Sequence, residues 1–97
     1  MNQTIIDAIK NRRILSLQYH GFNRLVEPHT YGINKVGHAV LSCYQVAGGS
    51  RSNAVPDWKL FLIRDALAIS MTDTVFQGVR PGYKRDTKTM QRIYAQL

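Results

Sequence analysis

A change of period at residue 14 constrains this chain most. Before it, Ile5, Ile6 and Ile9 recur at helical spacing, and Lys10, Arg12 and Arg13 gather where the negative end of a helix dipole favours cations. Thr4 followed by Asp7 reads as a capping box with Asp in place of Glu. From Ile14 the period becomes two: Leu15, Leu17 and Tyr19 alternate with Ser16, Gln18 and His20, as in a half-buried strand. Short extended runs then follow one another, separated by glycine-bearing turns. They are "RLVEPHTYG", "AVLSCYQV", "WKLFLI" and "ALAISMTDTVF". No crossover helix lies between them, which disfavours a parallel α/β sheet.

The expected fold is therefore mainly β: a small five-stranded Sm/SH3-like barrel over residues 14–76, with a short helix before it. Pro28 lacks an N–H, so its strand must lie at an edge or be bent there. A Gly/Pro linker begins at residue 77. After it, Met90, Ile93, Tyr94 and Leu97 are spaced 3, 1 and 3, which predicts a C-terminal helix with one apolar stripe. At 97 residues the whole is expected to form one domain.

Charge and cysteine usage bound the function. Thirteen Lys and Arg stand against six Asp and Glu, a net charge of +7 that favours polyanionic partners. One cysteine, Cys43, excludes an internal disulfide and a multi-Cys zinc site and suits a reducing cytoplasm. No apolar run approaches the roughly 20 residues of a membrane span, and the N-terminus lacks signal-peptide order. His20, His29 and His38 have no metal-ligand spacing, and the acids are scattered. The expectation is a non-enzyme without cofactor or metal. His29 and Glu27 share a face of one extended run, and a surface pair explains them best.

The stretch "YQVAGGSRSNAVPDWKLF", residues 44–61, carries the candidate binding site. Arg51 offers a rigid fork of donors for phosphate or carboxylate. Ser50 and Ser52 flank it with hydroxyls, and Lys59 and Arg24 supply further charge. Trp58 is the only tryptophan, and its indole suits stacking on a base. Arg80, Lys84, Arg85, Lys88 and Arg92 form a second basic surface for a phosphate backbone.

From "AIKNRRILSLQYHGFNRLVEPHTYG" through "GHAVLSCYQ" to "WKLFLIRDALAISMTDTVF", residues 8–76, the chain resembles a WYL domain. The resemblance rests on a basic helix end leading into a strand that closes on Tyr19, on Arg24, Val26 and Pro28, on a glycine turn before the third strand, and on Phe61. The triplet that names the family is replaced by Ala39, Val40 and Leu41, and "PDWK" belongs to a distinct loop. The resemblance implies a bacterial β-barrel module that senses nucleic acid or a nucleotide through a basic surface. Such modules usually follow a winged helix in transcription regulators, including those of DNA damage, phage defence and CRISPR systems, and some stand alone or are fused to helicases and nucleases. With no room for a winged helix before Met1, a stand-alone member or an excised domain is expected. The resemblance also adds Tyr44 and His29 to the candidate site. The alternatives are a protein-interaction or dimerisation module acting through the C-terminal stripe and Trp58, and an accessory domain of a nuclease or helicase.

Overall fold

The computed structural model describes residues 1–97. Its first element, helix α1 (Gln3–Asn11), is capped by Asn2, whose side chain accepts the Ile5 N–H at 3.1 Å. The cap thus lies two residues before the expected Thr4, which sits inside the first turn. Ile5, Ile6, Ala8 and Ile9 are buried, the face that the isoleucine spacing predicts.

Strand β1 (Arg13–Tyr19) buries Leu15, Leu17 and Tyr19 in alternation. It turns through His20 and Gly21, both with positive φ (49° and 83°), into β2 (Phe22–Asn34). Two central residues in that region make a hairpin turn whose twist matches the strands it joins. Strands β3 (Ala39–Gly48) and β4 (Asp57–Leu62) follow, then a 3-10 turn at Ile63–Asp65, β5 (Ala66–Val75) and β6 (Met90–Gln96). All ladders are antiparallel, in the order β4-β3-β2-β1-β5, with β6 added to β2.

Strand β2 organises the sheet. One of its edges pairs with β3, and the other is shared end to end: β1 takes residues 22–26 and β6 takes residues 30–34. Pro28 falls in the gap between those two partners, next to a bulge in which His29 is the extra residue. The missing N–H therefore bends an interior strand rather than marking an outer one.

Two expectations need correction. The C-terminal helix is absent, and its residues form β6. The distal half of β2 has backbone groups that β1 does not reach, and pairing them outweighs the helical preference of "MQRIYAQL". Gln91 and Tyr94 are extra residues at register shifts, so the 3-1-3 spacing that mimics a helix is a strand whose phase slips twice. The sheet also has six strands rather than five, and no ladder joins β4 to β5, so its hydrogen-bonded path is open. The end of β4 is tied instead to β1: the Leu62 N–H donates to the Tyr19 hydroxyl at 3.1 Å, and the Tyr19 and Phe61 rings lie 4.3 Å apart.

The core lies between α1 and one face of the sheet, where Leu15, Leu17, Val26, Tyr31, Leu41, Cys43 and Phe61 meet the isoleucines. β2 is nonetheless buried on both sides from Val26 to Gly32, because the segment after β5 crosses its outer face. No helix is long and apolar enough to cross a membrane.

Candidate ligand groove and cationic loop

Residues 77–84 form a strap over the outer face of β2, β3 and β4. Arg80 grips Glu27 with two parallel bonds, Nε–Oε1 at 2.7 Å and Nη2–Oε2 at 2.9 Å, and its guanidinium lies 4.7 Å from the Tyr44 ring centroid. The Glu27 bond raises the Arg80 pKa above the ordinary value. The Arg80 backbone N–H donates to His29 Nε2 at 3.1 Å, and the indole N–H of Trp58 donates to the Pro81 carbonyl at 2.9 Å.

His29 is fully buried, and its surroundings fix its state. Nε2 accepts from Arg80, so Nδ1 carries the hydrogen and donates to the Glu27 carbonyl at 2.8 Å. Rings of Trp58, Tyr83 and Phe76 enclose it at 4.7, 5.3 and 6.0 Å. Desolvation lowers its pKa, and the bond to the Glu27 carbonyl opposes that only in part. The expected surface pair of His29 and Glu27 is thus a buried latch. Both are held by Arg80, His29 through the backbone N–H and Glu27 through the guanidinium, and the His29 ring meets the Glu27 main chain rather than its carboxylate.

Between the strap and the sheet lies a groove of about 440 Å³. Trp58, Leu60, Ser42 and Thr30 line its sheet side; Gly82, Tyr83, Lys84, Thr87, Thr89 and Met90 line the other. It combines two aromatic rings, four hydroxyls and the Lys84 ammonium, and no carboxylate lines it. Aromatic faces stack on planar bases, and an ammonium among hydroxyls suits phosphate oxygens.

Lys59 also borders the groove, but strand alternation turns its side chain to the face opposite Trp58. There its ammonium lies 2.9 Å from Ser50 Oγ and 3.3 Å from Ser52 Oγ. Arg24 faces the same side. It is 5% exposed, donates to the Tyr19 carbonyl and Gln45 Oε1, and its guanidinium lies 5.5, 5.5 and 5.1 Å from the ring centroids of Tyr19, Phe22 and Phe61. Burial lowers its pKa. Burial also pushes the Cys43 thiol far above the ordinary range, although Arg24 and Lys59 pull the other way, so the thiol is inert.

The sequence-derived candidates therefore separate into two places. Trp58, Tyr44 and His29 lie with the strap. Ser50, Ser52, Lys59 and Arg24 lie across the sheet, and Arg51 is exposed with no bond of its own. Of the tail cations, Arg80 is held by Glu27 and Lys84 enters the groove. Arg85 reaches the Leu97 carbonyl and Asp86, Arg92 covers the Tyr94 ring, and Lys88 and Arg92 share a shallow depression with Lys35 and Asp86. Sequence reasoning did not single out Thr30, Ser42, Tyr83, Thr87 or Thr89. Tyr83, an aromatic between Gly82 and Lys84 in a linker without a core of its own, was the readable signal. No three His, Cys, Asp or Glu side chains lie close enough to hold a metal ion. The chain matches no protein-family model, no curated protein and no solved structure.

Proposed function

We propose that the chain is a non-catalytic module that binds single-stranded nucleic acid or a nucleotide in the groove beneath the strap. The observation that carries this reading is the groove's lining: Trp58 and Tyr83 beside Lys84 and four hydroxyls, with no carboxylate to repel a phosphate. The net charge of +7 supports the same class of partner. With the WYL-like sequence pattern, the reading extends to ligand sensing in bacterial transcription regulation, DNA-damage response or phage defence. Trp58 is the only tryptophan, so its fluorescence reports on the groove alone. Short single-stranded DNA, single-stranded RNA and ATP are titrated at low and moderate salt. Quenching is expected, with log affinity for the strands falling at about −0.7 per phosphate contact against log salt. Trp58→Ala, followed by anisotropy of a labelled oligonucleotide, costs about 1–3 kcal/mol of binding. Absence of quenching by all three probes at low salt refutes the reading.

One observation favours a second reading, a dimerisation module. β5 pairs only with β1, and Leu67 and Val75 are each 62% exposed on it. The apolar stripe of the tail is spent within the chain, with Tyr94 and Leu97 packed on the core, so in this reading a second copy meets the β5 edge rather than the tail. A concentration-dependent mass in light scattering, abolished by Leu67→Lys, supports it, and a monomer at high concentration rejects it.

A further inference from the structure

The loop after β3 holds a cluster that the groove does not use. Around the Lys59 ammonium stand Ser50 Oγ at 2.9 Å and Ser52 Oγ at 3.3 Å; the two oxygens are 3.1 Å apart, and the Ala54 N–H donates to Ser52 Oγ at 3.3 Å. The ammonium brings three hydrogens, each hydroxyl one and the amide one, against two lone pairs on each hydroxyl oxygen. Whichever way the hydroxyls turn, donors outnumber acceptors, and hydrogens point at nothing within the cluster. Ser50 is buried, with 6% exposure, while Ser52 is exposed and Lys59 half-buried, so the spare hydrogens lie at the surface, where a ligand can reach them.

No carboxylate answers this excess. The ion pairs of the chain join Arg13 to Asp73, Arg80 to Glu27 and Arg85 to Asp86, Asp65 lies beside the His20 ring, and none of these contacts includes Lys59. A second cation on the same side is equally unpaired, since the guanidinium of buried Arg24 meets only neutral acceptors. The loop is held in place before any ligand arrives. Gln45, which accepts from Arg24, donates through Nε2 to the carbonyls of Ala47 and Gly49, and the Asn53 N–H closes a turn on the Ser50 carbonyl at 3.1 Å.

We infer that Ser50, Ser52 and Lys59 form an oxyanion site, separate from the groove, that takes a phosphate-type anion. A tetrahedral anion offers acceptor oxygens in several directions, which suits an ammonium and hydroxyls converging on one point. Arg51, exposed between the two serines in sequence and without a partner, supplies a further charge beside it.

Inorganic phosphate is the probe, titrated into the isotope-labelled full chain and followed by amide chemical shifts, with sodium chloride at matched ionic strength as control. Saturable shifts are expected at Ser50–Ala54 and Lys59 but not at Gly82–Lys84. Lys59→Met and Ser50→Ala are each expected to weaken phosphate binding about tenfold or more, as loss of a charge-assisted bond does. Shifts that chloride reproduces, shifts confined to Gly82–Lys84, or no saturable shift in the unaltered chain overturn the assignment. Those outcomes leave the groove's own test with nucleobases and Trp58 untouched, so the two readings fail separately.

Discussion

Acidification is expected to loosen the molecule at one residue. His29 is buried and neutral, and both ring nitrogens are committed, Nδ1–H to the Glu27 carbonyl and Nε2 to the Arg80 N–H. A second ring proton would face that N–H instead of accepting from it. The charged groups that bear on the ring are Glu27, which favours protonation, and Arg80, which opposes it; desolvation dominates both and lowers the pKa from 6.5. In the unfolded chain His29 titrates near that ordinary value. As pH falls below it, the unfolded state takes up a proton that the folded state refuses, so stability present above about pH 6.5 drains away until the lowered folded pKa is passed. The limiting slope is about 1.4 kcal/mol per pH unit, so between about pH 7.5 and about pH 5.5 the loss reaches up to about 1.4 kcal/mol. Urea unfolding at several pH values measures it, with His29→Phe as the comparison. The variant leaves the Arg80 N–H without an acceptor and starts about 1–3 kcal/mol less stable at neutral pH, but it has no titration at that position. The gap between the two proteins therefore narrows as pH falls. Parallel pH profiles would refute the argument.

Other changes probe the strap and the late strand. Glu27→Gln removes the charge that holds Arg80; because Arg80 is 41% exposed and partly screened, the expected loss is about 1–2 kcal/mol in urea unfolding, with faster hydrogen exchange at the Arg80 amide. Gly32→Ala places a methyl group against the Arg92 carbonyl oxygen across the β2–β6 ladder, and backbone cannot yield as a side-chain tip does. It is expected to cost about 2 kcal/mol or more and to strip exchange protection from β6 while leaving the β1–β2 hairpin protected.

Local order was legible wherever a strand kept its phase. Ile5, Ile6 and Ile9 announced the buried face of α1, and Leu15, Leu17 and Tyr19 announced that of β1, because simple periodicity fixes which side chains face the core. The tail misled for a specific reason. Bulges at Gln91 and Tyr94 shift the alternation twice, and the resulting spacing coincides with a helical one. Nothing nearby in sequence reveals that the distal edge of β2 needs a partner, since Thr30 and Gln96 meet only after the chain has folded. The open path between β4 and β5 was hidden likewise, because local pattern predicts strands and not whether the last ladder closes.

The site was legible in residue type and less so in place. Alternation alone separates Trp58 from Lys59, and it puts Lys59 with buried Phe61 and Arg24 with buried Val26, so two of the expected cations share the core side of the sheet. The pairing of Arg80 with Glu27 spans 53 residues and leaves no trace in the spacing. Yet charge accounting connects the totals to the geometry. Each of the six acids has a partner within the chain: Glu27, Asp73 and Asp86 meet arginines, Asp65 lies beside the His20 ring, Asp7 accepts from Gln3, and Asp57 accepts the Trp58 N–H. The excess positive charge therefore rests on cations that no carboxylate answers, and Lys59, Lys84 and Arg51 are among them. Lys84 stands at a groove with aromatic walls, and Lys59 stands in a hydroxyl cluster short of acceptors. A fold that spends its only buried carboxylate on its own strap leaves these positions without an internal counter-ion, which is why phosphate and nucleic acid are the probes that test the proposals.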